Sequence, residues 1–72
     1  MPVFKLDVVT PERTIYSGSV QSLRAPGSQG GFGVLPRHAS MLAALAVGPL
    51  SFVEEEGEGK SMAISGGFAE VR

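Results

Sequence analysis

Phe4, Leu6 and Val8 alternate with Lys5 and Asp7, the period of two expected of a half-buried strand, and Thr10-Pro11-Glu12-Arg13 ends it with turn chemistry. Thr14 to Ser17 is short and β-prone, Gly18 interrupts it, and Val20 to Ala25 resumes extended character. Val20 and Leu23 have opposite parity, which predicts a bulge between them. Pro26-Gly27-Ser28-Gln29-Gly30-Gly31 reads as a flexible loop, and Phe32 to Leu35 as a brief strand stopped by Pro36. Leu50 to Val53 and Ser61 to Ile64 flank the acidic, glycine-containing segment Glu54 to Lys60, the pattern of a hairpin. Phe68 to Val71 predicts a last strand, entered through Gly66-Gly67, where absent side chains permit a bulge or a close backbone approach.

One stretch breaks the pattern. Ala39 to Val47 is rich in helix formers, places Met41, Leu42 and Leu45 on one helical face and stops at Gly48-Pro49, so taken locally it predicts a short helix. An apolar run of that length is marginal as an isolated helix and equally suits a buried strand. Short strands at near-regular spacing predict an antiparallel sandwich or barrel, in one domain spanning residues 1–72.

A chain of 72 residues buries only about 60% of its unfolded surface, and a core of that size rarely supplies more than about 3–5 kcal/mol without a further support. With no cysteine, disulfides and thiolate metal sites are excluded, and one histidine does not make a zinc site of the usual kind. A partner surface is the support that remains. The net charge of −1 offers no basic face for nucleic acid, and no apolar run approaches the roughly 20 residues that span a bilayer. A soluble protein on the cytoplasmic side, able to sit against something membrane-bound, is the expectation.

The candidate chemistry is thin. Gly27, Gly30, Gly31 and Gly33 suggest a phosphate loop, but no Gly-Lys-Ser/Thr follows and no helix opens at its end. His38 lies beside Arg37 and Ser40, yet a serine two residues away is poorly placed to share a base, and a structural or interface histidine is the better reading. Glu54, Glu55, Glu56 and Glu58 splay outward in a turn, as a solvated hairpin tip does. Met41 and Met62 read as core filler. No catalytic, cofactor or metal site is expected, and the chain is not expected to be an enzyme.

Leu6-Asp7-Val8-Val9-Thr10-Pro11-Glu12-Arg13, Tyr16-Ser17-Gly18, Gly33-Val34-Leu35-Pro36-Arg37-His38-Ala39 and Ser65-Gly66-Gly67-Phe68-Ala69-Glu70-Val71, in this order and spacing, resemble the N-terminal domain of the epsilon subunit of F-type ATP synthases. Leu42, Gly48 and Leu50 fall where that family tends to have apolar, Gly and apolar residues, and the match runs nearly end to end. The resemblance implies an all-β fold, a flattened antiparallel β-sandwich, and therefore an extended Ala39 to Val47. It implies a non-catalytic central-stalk subunit on the rotor of a proton-driven synthase, peripheral at the cytoplasmic face of the cell membrane, with membrane contact only through the complex.

Its implied partners are the gamma subunit and the c-ring. Thr10 and His38 resemble positions lying toward gamma, with Leu42 and Ala43 continuing that surface, while Ser28, Gln29, Gly30 and Gly31 fall in the loop that rests on the c-ring. Gly31 stands where many members have an acidic residue, and Ser40 where they have proline, so Gly31 offers the ring no carboxylate. The family's further strand after the Gly-Gly-Phe block, and the C-terminal helical hairpin of many members, do not follow within these residues. The expectation is thus a sandwich with an unpaired edge and neither ATP binding nor restraint of hydrolysis. The alternative is a free-standing β-sandwich binding module for a small ligand or peptide. It explains less, because Phe4, Phe32, Phe52 and Phe68 lie in predicted strands rather than on loops.

Overall fold

The computed structural model describes residues 2–37 and 40–72. Five antiparallel strands account for nearly all of them: β1 (Phe4–Val9), β2 (Thr14–Gly27), β3 (Gly30–Val34), β4 (Met41–Glu54) and β5 (Gly59–Val71). The hydrogen-bonded order is β1-β5-β4-β2-β3, and β1 also pairs with β2, which closes the sheet on itself. The result is a barrel-like β-sandwich measuring 30 × 22 × 19 Å.

Closure works because three strands are long enough to serve both layers. In the first layer the order is β2 (its first half), β1, β5 (its second half) and β4 (its first half), with Asp7 opposite both Ser17 and Glu70 and with Leu42 on the far side of Glu70. The second layer runs β3, β2, β4, β5 through the other halves, with Leu23 between Val34 and Phe52. Strands that pass from one sheet to the other do so at bends or bulges, and each long strand has one.

In β2 the register shifts between Val20 and Ser22, so Val20 and Leu23 both point inward, as their parity predicts. The hairpin of β4 and β5 keeps one register from Met41↔Val71 to Val53↔Gly59, with Ala46 and Gly66 outside the ladder. One interruption on each strand changes the parity of both. Leu45 and Leu50 are therefore both buried, and so are Ile64 and Ala69. Gly66 and Gly67 carry φ of 114° and 118°, and a Cβ on Gly67 would collide with the Val9 carbonyl oxygen, so of the bulge or close approach expected at this pair the close approach is what is present, with no shift of register.

Three local readings are corrected. The local helical pattern over Ala39 to Val47 gives way, as the resemblance implied, to strand β4 from Met41 onward: Met41, Ala43 and Leu45 turn inward while Leu42 and Ala44 turn outward, because pairing with β5 satisfies the backbone and a period of two suits the core. Gly18 does not interrupt β2. It pairs with Leu6, and the missing side chain leaves space for Tyr16, whose hydroxyl lies 2.6 Å from where a Cβ would stand. The stretch Pro26 to Gly31 is not a loop, since only Ser28 and Gln29 form a turn between the paired Gly27 and Gly30, the latter at φ 121°.

Every strand contributes to the core, from Phe4, Leu6 and Val8 through Val20, Leu23, Ala25, Val34, Leu45, Leu50 and Phe52 to Ile64, Ala69 and Val71. Met41 and Met62 pack against it, half-buried. The Tyr16 ring tilts against Phe52 at a centroid distance of 4.3 Å, and burial, with Glu54 nearby, raises its phenol pKa. Among the described residues no polar side chain is buried, so this core is held by apolar burial alone.

Candidate interaction surfaces

Outward positions carry whatever the molecule does beyond folding, and the two layers present different ones. On the first layer Val9 pairs with Phe68 and Phe68 with Ala44, a row across three strands, and Leu42 follows two residues further along β4. Phe68 is 44% exposed and Leu42 68% exposed, so the row is an apolar patch open to solvent. Thr10 stands at its end. The Thr10 hydroxyl is occupied locally, accepting from the Arg13 N–H at 3.3 Å and donating to the Arg13 carbonyl at 3.2 Å, and its methyl lies against Gly67.

Beyond Phe68 the same face turns polar. Ser17 donates to Asp7 Oδ1 at 2.5 Å and the Arg72 guanidinium pairs with Asp7 Oδ2. The Ser17 hydrogen bond, joined by Arg72 and opposed by partial burial, holds Asp7 below the usual carboxylate range. This clip ties β2, β1 and the end of β5 together. Glu70 is the next carboxylate on the face, directly across from Asp7.

The second layer's outer face mixes small residues with larger ones, Leu35 among them at 66% exposed. Ser22, Gly33, Ser51 and Gly59 line a cleft of about 570 Å³ with Leu35, Val53 and Arg24. Its hairpin tip, Ser28 and Gln29 with Gly30 and Gly31, is exposed and reaches toward β4, where the Ser28 N–H bonds the Ala44 carbonyl at 3.0 Å. Glu55, Glu56 and Glu58 form the exposed turn of the other hairpin, where Glu58 pairs with Lys60 at 3.6 Å. Among the described residues no three acidic, histidine or cysteine side chains converge to hold a metal.

The residues singled out from the sequence therefore separate. Leu42 lies on the outer face of the first layer and Thr10 in the turn just past Val9, whereas Ala43, adjacent to Leu42 on a strand, has the opposite parity and with Ala44 lines a depression beside residues 27–32. His38 lies outside the described residues. Ser28, Gln29, Gly30 and Gly31 stay together on one tip. Sequence reasoning passed over Val9, Ala44, Phe68 and Glu70 as surface residues. A signal was available for two of them: Phe68 shares parity with Glu70, while Ala69 and Val71 take the inward side.

The family described as ATP synthase, Delta/Epsilon chain, beta-sandwich domain matches residues 3–72. The chain belongs to this family. Its relatives include the ATP synthase epsilon chains of Desulfatibacillum aliphaticivorans, 51% identical over 66 residues, and of Syntrophomonas wolfei, 48% identical over 68 residues. These alignments cover 92% and 94% of this chain but 47% and 50% of the relatives. The epsilon chain of Wolinella succinogenes is 41% identical over 71 residues, 99% of this chain and 54% of that one. The chain thus spans about half the length of the curated relatives it matches. The delta/epsilon domain's β-sandwich is the fold described above, and among the described residues no helix is long and apolar enough to cross a membrane.

Proposed function

We propose that this chain is the β-sandwich domain of a non-catalytic epsilon-type rotor subunit in a proton-driven F-type ATP synthase. On this reading Leu42, on the first layer's outer face, meets the gamma subunit together with Thr10, His38 and Ala43, and the Ser28 to Gly31 tip rests on the c-ring. It sits peripherally at the cytoplasmic face of the membrane and couples ring rotation to ATP synthesis on other subunits. The observation that carries the reading is a family match along nearly the whole chain, joined to an open apolar patch on the face that holds Leu42, one of the positions assigned to gamma.

A patch of this kind, on a domain with a small core, gains stability from being covered. The tip suits a contact made through backbone and small polar groups. The test is co-purification of the tagged chain with gamma and the c-ring from detergent-solubilised complexes. Recovery of both supports the reading, and recovery of neither under conditions that retain the catalytic subunits overturns it.

A further inference from the structure

Glu70 is exposed and joins no ion pair among the described residues. Its cross-strand neighbour on β1 is another carboxylate, Asp7, and like charges directly opposite each other on a sheet are destabilising. Asp7 has its charge taken up by Ser17 and Arg72, while among the described residues Glu70 has no lysine or arginine within 4.0 Å. On its other side Glu70 pairs with the exposed Leu42, so the carboxylate borders the apolar patch.

We infer that Glu70 is the specificity-determining charge of the gamma-binding face, receiving a lysine or arginine of gamma that flanks an apolar side chain seated over Phe68 and Leu42. The inference rests on the reading that this face meets gamma. A partner covering the patch strips water from one side of the Glu70 carboxylate, which is costly unless a cation replaces it. An apolar partner lacking that cation is rejected by the same carboxylate, so one residue both admits and excludes.

The experiment is an equilibrium titration of the chain with purified gamma at low and at moderate ionic strength, using Glu70→Gln, Glu70→Lys and Phe68→Ser. Glu70→Gln should weaken binding about fivefold at low ionic strength and flatten its salt dependence, and Glu70→Lys should weaken it further. Neither should lower the melting temperature, because the exposed Glu70 makes no ion pair among the described residues, so lost affinity with retained stability separates recognition from folding. If both Glu70 variants bind as the parent does while Phe68→Ser does not, the face is right and the role of Glu70 is refuted. If Phe68→Ser also binds normally, or the parent does not bind, the face itself is wrong and the inference goes with it.

Discussion

The outer faces of the two layers are made by the same three long strands, yet they differ in kind. One carries the row Val9, Phe68 and Ala44 with Leu42 next to it and a charged clip beside it, and the other carries Ser22, Gly33, Ser51 and Gly59 with Arg24, Val53 and the exposed Leu35. Folding demands only that inward positions be apolar and of the right volume, so it accounts for Leu6, Val20 and Leu50 and is silent about the face behind them. A phenylalanine left 44% exposed and a leucine 68% exposed adjoin one cross-strand apolar row, whereas on the second layer the exposed Leu35 stands among serine and glycine.

The comparison breaks most severely at the joint between the layers. Gly67→Val puts a side chain at φ 118° and into the Val9 carbonyl, which should cost about 3 kcal/mol, most of the stability of a domain this small. The chain should lose its cooperative thermal transition. Less drastic and more telling is the pair Phe68→Ser and Leu35→Ser. Both truncate exposed apolar residues, so both should change stability by about 0.5–1 kcal/mol. Only the first should weaken gamma binding, by about tenfold or more in a titration.

The clip gives a smaller, pH-dependent effect. Asp7 has a folded pKa below its unfolded one, so its contribution is present above the unfolded value of about 3.9 and is lost as pH falls through the lowered folded value. The melting temperature of Asp7→Asn should therefore lie below the parent's at neutral pH, with the gap closing as the pH is taken below about 4. Smallest of all, Arg24→Gln on the second layer should leave gamma affinity and its salt dependence unchanged within error. A loss there would move the interface to the wrong face.

Much of the fold was legible along the chain, and what was missed has a common physical reason. The alternation of Phe4, Leu6 and Val8, the parity conflict of Val20 with Leu23 and the glycines at 66 and 67 are local signals, and each corresponds to a local feature. The helical look of Ala39 to Val47 was also local, and lost to a ladder whose partner strand lies about twenty-five residues away. Gly18 and the Pro26 to Gly31 stretch were misread alike, because a glycine that makes space for Tyr16 and a glycine that makes a turn look the same until the neighbour is in place. Site residues suffered more. Leu42 and Ala43 belong to opposite sides of a strand, a separation that follows from the extended reading but is lost when both are carried over as one surface by resemblance, and the row from Val9 to Ala44 exists only once three strands are in register.

In an ordinary sandwich the two sheets are separate plates held by side-chain contact, and a sideways load can make one slide over the other. Here β2, β4 and β5 run unbroken from plate to plate, so sliding would have to stretch covalent backbone and unzip the ladders at three corners together. On the proposed reading the gamma-facing row lies on one plate and the tip at Ser28 and Gln29 on the other. A force entering at the tip reaches the opposite face along peptide bonds rather than across a greasy interlayer, which makes a 72-residue domain a stiff coupling pin.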